Sequence, residues 1–210
     1  MLVFNKKISI QLLCLFIFSC STQKDKYINR QYHLINTKYN VLFNGENSFL
    51  IGKEILSKTY EDNFYEILPI EPISINGENI NETTIIPGFS KAEDKAVKAI
   101  QRHSMNINGS QRNNEIDRAY LLLGKSRYFD RRFFPALEAF NFLLENYVNE
   151  KTYVEARIWR EKTNIRLKNV DVAIKNLRPI ARNISIKSKF YSEANASIAD
   201  AFIQKNEIDS

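Results

Sequence analysis

Apolar positions recur at helical spacing along most of this chain, and the interruptions between them mark out its elements. Tyr32 to Phe43 carries Leu34, Ile35, Tyr39, Leu42 and Phe43 at intervals of about three and four, which fall on one side of a helix with 3.6 residues per turn. Asn44-Gly45 is a turn-favouring dipeptide, and Glu46 to Thr59 then resumes the pattern with Phe49, Leu50, Ile55 and Leu56. The pattern predicts an N-terminal helical hairpin over residues 31–62. Residues 63–88 lose the periodicity, because Pro69, Pro72, Gly77, Pro87 and Gly88 cannot all sit inside a helix. That stretch is expected to be one irregular, proline-containing loop laid along the helices, or two short strands paired across Asn76-Gly77. Ser90 with Glu93 three residues later matches a capping box, and Ala92, Ala96, Val97 and Ile100 mark the face of the helix it would open. After a polar break at Met105–Asn114, the periodicity predicts helices at Ile116–Phe129, Phe133–Tyr147, Tyr153–Leu167, Val170–Ile184 and Phe190–Lys205.

These later helices are self-similar at a shift of 37 residues. The shift lays Ile116 on Tyr153, Leu121 on Ile158, Leu122 on Trp159, Lys125 on Lys162, Tyr128 on Ile165, Ala136 on Ala173 and Phe140 on Leu177. A helix-turn-helix period in the mid-thirties resembles the tetratricopeptide repeat. In the first copy Tyr120, Leu123 and Gly124 occupy the places of that family's W-x-x-L-G core, and Ala136 and Phe140 those of its later Ala and Phe. Small residues at 124 and 136 allow two helix backbones to approach, and Tyr120 and Phe140 are expected to fill the space between units. The second copy has Glu161 in place of the glycine, which predicts splayed helices. A third copy begins near Tyr191, where Ile198, Phe202 and Ile203 lack a covering helix. Since a solenoid needs a capping helix, the chain is expected to be part of a longer array. The expected fold is all-α: tetratricopeptide-like hairpins stacked as a short solenoid over residues 89–210, the third repeat incomplete.

The first twenty residues differ in kind. Lys6 and Lys7 precede an apolar run from Ile8 to Phe18 that closes with Ser19-Cys20. The run is shorter than the roughly 20 residues a spanning helix needs and has the layout of a secretory signal. A cysteine at the cleavage point resembles the bacterial lipobox, which predicts a signal at 1–19, acylation of Cys20 and a lipidated tether at 20–30. An ordinary signal cut near Ser21 is the alternative. On the lipobox reading Cys14 leaves with the signal and Cys20 carries lipid, so no disulfide is expected. The formal charge falls from +6 to +4 once Lys6 and Lys7 are removed. Basic residues are interleaved with Asp and Glu rather than gathered in a stripe, which argues against a nucleic-acid partner.

Catalytic signatures are missing. The histidines are His33 and His103, without an HExxH pattern, and neither a phosphate-binding loop nor a dinucleotide fingerprint occurs. The sequence reads as a non-enzyme with no cofactor, no metal and no small-molecule substrate. In the repeat family that the chain resembles, the first helix of each unit lines a concave face. That resemblance implies a partner groove with Arg118, Leu121, Lys125 and Tyr128 from the first copy and Glu155, Ile158, Lys162 and Ile165 from the second. Such a groove would be apolar and mildly basic, suited to an acidic-apolar segment; ordinary solvated or inter-helix positions are the alternative.

A narrower resemblance rests on Tyr39–Gly45 (YNVLFNG), Phe89–Met105 (FSKAEDKAVKAIQRHSM) and Ile116–Phe140 (IDRAYLLLGKSRYFDRRFFPALEAF). Together these are similar to the N-terminal part of the SprE/PorW lipoproteins of Bacteroidetes, long tetratricopeptide proteins of type IX secretion and gliding. The resemblance implies a lipid-anchored scaffold on the outer membrane, facing the periplasm, whose partners are other secretion-machinery proteins. A lipoprotein of the outer-membrane protein assembly machine is a rival reading. A lipid-anchored cell-envelope enzyme with its catalytic domain elsewhere is another.

Overall fold

The computed structural model describes residues 21–65, 67–73, 86–147 and 150–205. The signal segment with Cys20, and the strand pair expected at Asn76-Gly77, lie outside these residues. The described chain is all-α apart from one small hairpin. Its elements are α1 (Tyr27–Ile35), a π-helical stretch (Asn36–Leu42), α2 (Phe43–Thr59), α3 (Pro87–His103), β1 (Asn106–Ile107), β2 (Ser110–Gln111), α4 (Ile116–Phe129), α5 (Phe133–Asn146), α6 (Glu150–Arg166), α7 (Val170–Asn183) and α8 (Lys189–Gln204). From α2 onward each helix packs on the next, and α6 also touches α4 and α8. The helices therefore stack as a short solenoid, with α2, α4, α6 and α8 forming one row.

The N-terminal hairpin expected at residues 31–62 does not form. The helix runs from Tyr27 to Thr59 without a turn at Asn44-Gly45, the π stretch being continuous with the α-helices on both sides. The partner that folds back against α2 is instead α3. Gly45 serves close packing here: a Cβ on it would lie 2.8 Å from Leu122 and 3.0 Å from Lys95. The π stretch also changes which residues face inward. Val41, Leu42, His33 and Thr37 are buried, while Ile35, Tyr39 and Phe43 are exposed. Thr37 donates to the carbonyl of His33 (2.6 Å) and accepts from Asn113 Nδ2 (2.8 Å), so a buried polar pair holds this stretch to the loop before α4.

Helix α3 begins at Pro87 with Ile86 as its N-cap, four residues earlier than the capping box implies. Proline suits this position because its missing N–H would be unpaired there in any case. Ser90 is thus inside the helix. Glu93 is used elsewhere, accepting from Arg127 (2.8 Å) and pairing with Arg132 across the α4–α5 turn. The pairing of Gly88 with Gly52 brings α2 and α3 into backbone contact, since a Cβ on Gly88 would fall 2.5 Å from Gly52 Cα. The β1–β2 hairpin turns through Asn108 (φ 52°) and Gly109 (φ 75°), both left-handed as a two-residue turn requires.

The repeat is visible in the backbone itself. Arg131 (φ 59°) and Lys168 (φ 65°), which the 37-residue shift superposes, both end a first helix in the left-handed region. The next amide in each case closes the cap, Arg132 N to Arg127 O at 2.9 Å and Asn169 N to Asn164 O at 2.8 Å. In the first unit Gly124 lies against the ring of Phe140, which fills the space within that hairpin rather than between units. In the second unit Glu161, wholly buried, takes the glycine's place. It accepts from Arg160 (2.7 Å), Asn164 (2.9 Å) and Asn176 (3.1 Å), so a satisfied polar cluster replaces the ring-on-glycine contact. The apolar core divides near this point into one cluster reaching from Val41 to Trp159 and a second from Ile158 to Ala201.

Candidate functional site

The row of first helices presents a groove of about 890 Å³. Its apolar surface comes from Leu34, Phe49, Leu50, Leu121 and Leu122, and Arg118, Lys125 and Glu155 lie along it. Arg118 bridges Glu46 (2.6 Å) on α2 and Glu115 (2.6 Å) at the start of α4. Lys125 bridges to Glu155 (2.9 Å) on α6 and stands 5.3 Å from the ring centres of both Phe49 and Trp159. Burial pushes the Glu155 carboxyl up, but Lys125 first, with smaller help from the Lys189 charge and the Trp159 N–H, outweighs it and leaves the group below its usual range. Three further cations line the groove: Lys38, Lys53 and Lys189. Each sits over an aromatic ring, of Tyr39 (5.2 Å), Phe129 (5.8 Å) and Phe190 (4.9 Å). Among the described residues none of the three has a carboxylate at ion-pair distance. The groove therefore has an apolar floor, internally paired charges and a margin of available positive charge.

Arg118, Leu121 and Lys125 thus stand in the groove as the repeat resemblance implies, with Glu155 opposite. Tyr128, Ile158, Lys162 and Ile165 do not. Tyr128 shares the helix face of Leu121, seven residues and almost two turns earlier, but at its level the face is covered: its ring packs on Phe133 and Trp159 and its hydroxyl accepts from Arg166, leaving it 1% exposed in the core. Ile158 and Ile165 are fully buried in the second apolar cluster. Lys162 is 8% exposed and has a different role.

Lys162 belongs to a buried ionic cluster farther along the same row. Its ammonium pairs with Glu71 (2.7 Å) and Glu193 (3.0 Å) and lies 4.1 Å from the centre of the Trp159 ring. Arg166, one turn on, donates to the Tyr128 hydroxyl (3.0 Å) and faces Asp200 (3.8 Å) and Glu71 (4.0 Å). Burial alone would lower the affinity of Lys162 for its proton, but Glu71 and Glu193 raise it above the ordinary value. The Tyr128 hydroxyl is driven well above its ordinary value, by burial first and by Glu71 second. Glu71 comes from the segment after α2, so residues 67–73 reach the first helix of the second unit as a strap. Only its end is seated: Glu71 and Pro72 are partly covered and Ile73 joins the first apolar cluster, whereas Ile67, Leu68 and Ile70 remain exposed.

The sequence pattern did not single out Glu71, Phe49, Trp159, Arg166, Glu193 or Asp200 as members of this surface. Lys162 and Arg166, one turn apart on a first helix, were a readable sign of a basic spot. Glu71 has no local sign, since its partner lies 91 residues away. No group of three or more His, Cys, Asp or Glu able to hold a metal occurs among the described residues. No described helix is long and apolar enough to cross a membrane. The chain matches no known family model and no curated protein.

Proposed function

We propose that this protein is a lipid-anchored, periplasm-facing scaffold of the type IX secretion and gliding machinery, binding other secretion proteins along its row of first helices. The observation that carries the reading is the groove itself: a floor of leucine and phenylalanine with Lys38, Lys53 and Lys189 seated on rings around it. Such a surface favours an acidic-apolar segment, through steering by the lysines and burial of apolar side chains. The tether to the outer membrane is assigned to acylated Cys20, and the family to the resemblance over Tyr39–Gly45, Phe89–Met105 and Ile116–Phe140.

The test uses Lys53→Glu with Lys189→Glu, both exposed positions whose reversal leaves the helices intact. Co-purification of other secretion-machinery subunits should fall sharply while the circular dichroism spectrum is unchanged. Undiminished recovery refutes the groove as the binding surface. Cys20→Ser examines the anchor separately, and its persistence in the salt-washed outer-membrane fraction would refute the lipid attachment.

A further inference from the structure

We propose that the buried ionic cluster on α6 and α8 is a second binding site for an acidic, proline-containing peptide, occupied in this structure by the chain's own residues 67–73. The partner chemistry is that of the resident segment, Ile67-Leu68-Pro69-Ile70-Glu71-Pro72-Ile73: one carboxylate flanked by prolines and branched aliphatic residues. The inference rests on the reading of the first-helix row as a partner surface and specifies what its far end accepts.

Glu71 recruits Lys162 directly and lies near Arg166. The cations do not need it. Without Glu71, Lys162 keeps Glu193 at 3.0 Å and Arg166 keeps Asp200 at 3.8 Å and the Tyr128 hydroxyl at 3.0 Å. Stripping one partner from a buried ion pair is usually costly because a bare charge remains. Here departure of the strap leaves two cations facing two carboxylates, so the site survives vacancy. A third carboxylate in a cluster already balanced is the mark of an exchangeable ligand. The seating is correspondingly small, because of residues 67–73 only Ile73 is fully buried. The chain bends through Ile70–Pro72, where Ile73 N–H donates to the Glu71 carbonyl (2.6 Å), and the prolines withhold amide donors, so the segment binds through its side chains.

The site is also continuous with the open groove. Trp159 lies between them, with Lys125 at 5.3 Å from its ring centre on the groove side and Lys162 at 4.1 Å on the strap side. A partner segment running along the first helices would meet the strap at this residue.

The experiment uses the full chain and a fluorescein-labelled peptide of residues 67–73 as probe. Glu71→Gln removes the charge of the strap while keeping its shape. In this variant, hydrogen exchange at the Ile73 amide, which donates to the Glu71 carbonyl (2.6 Å), should rise at least about tenfold and Trp159 emission should shift. The added peptide should bind at least about tenfold more tightly to the variant than to the wild type, a difference of about 1.4 kcal/mol. A peptide with Gln at the position of Glu71 should bind the variant about tenfold more weakly than the native peptide. Adding Lys162→Met and Arg166→Met to the variant should abolish peptide binding, with helix content checked by circular dichroism. The proposal is overturned if Glu71→Gln leaves both exchange and emission at wild-type values. It is equally overturned if wild type and variant bind the peptide alike, or if the two peptides bind alike. Loss of secretion-subunit recovery in the Lys53/Lys189 variant is a separate readout, so failure here and failure of the scaffold reading are distinguishable.

Discussion

Gly124→Ala sets two effects of known size against each other. Alanine is favoured over glycine in a helix interior by about 1 kcal/mol, so on propensity alone the substitution should stabilise α4. The structure opposes it. A Cβ on Gly124 would lie 2.4 Å from Phe140 Cε1, 2.6 Å from Cζ and 2.8 Å from Cδ1. All three atoms belong to one rigid ring, so no rotation of a flexible tip relieves the clash. Restoring ordinary contact at 3.4 Å requires the ring to retreat by about 1 Å, and Phe140 is completely buried. Overpacking of this kind costs typically about 1–3 kcal/mol, and a ring with no free space belongs in the upper part of that range. The net loss is then about 1–2 kcal/mol. At roughly 2–4 °C per kcal/mol for a domain of this size, thermal unfolding followed by circular dichroism should show a melting temperature lower by about 2–8 °C. Phe140→Leu in the same background removes the offending ring atoms. The double variant should therefore be less destabilised than the two singles together, with a coupling of about 0.5–3 kcal/mol. A raised melting temperature for Gly124→Ala, or strict additivity in the cycle, refutes the ring-on-glycine account of the first repeat.

Gly88→Ala should be more damaging than Gly52→Ala in urea unfolding, because the first places a methyl 2.5 Å from the Gly52 backbone, which moves only with the whole helix, and the second 2.9 Å from the side-chain ring of Phe89; the reverse order would show that α2 and α3 separate freely. Stability should also fall in mild acid. His33 and His103 bring their Nδ1 atoms to 3.0 Å, and both proton affinities are depressed, by burial first and in His103 also by His33, Lys98 and Arg102. The folded chain thus binds fewer protons than the unfolded one, so stability is complete above the ordinary value of 6.5 and is lost as pH falls below it toward the depressed folded values. Glu93 and Glu155, whose affinities are also lowered, add their losses only below about the ordinary 4.5. Melting temperatures at pH 7.5 and 5.5 should differ in the wild type and differ less in His103→Gln, where the buried His33 alone remains; a flat wild-type profile refutes the coupling.

The repeat was legible because it depends on residues that meet locally. Gly124 and Phe140 lie 16 positions apart in one hairpin, and the 37-residue shift that pairs them with Glu161 and Leu177 is written in the apolar pattern. The first helix was misread for an equally specific reason. Glycine at 45 satisfies both a turn and a close helix crossing, and only the positions of Leu122 and Lys95 decide between them. The π stretch then turns the helix face, so a pattern counted at 3.6 residues per turn assigned Ile35, Tyr39 and Phe43 to the inside. For the groove, spacing along a first helix located Arg118, Leu121 and Lys125, but it could not show that Phe133, Trp159 and Arg166 cover the same face at Tyr128. The ionic cluster joins α2's following segment to α6 and α8, and long-range pairing of that kind leaves no periodic trace.

The strap is bound to the rest of the molecule through α2, which ends at Thr59, and α3, which begins at Pro87 and crosses α2 at Gly52 and Gly88. On the proposed exchange, this double attachment makes residues 67–73 a competitor at an effective concentration of order mM. A protein diffusing freely through the same compartment at lower concentration is outcompeted unless its intrinsic affinity is much higher, because its apparent affinity is scaled by the fraction of molecules whose site is vacant. A partner already held in the same assembly carries a local concentration of its own and escapes that handicap. The strap would then discriminate by proximity rather than by sequence, admitting neighbours and refusing strangers that carry the same peptide.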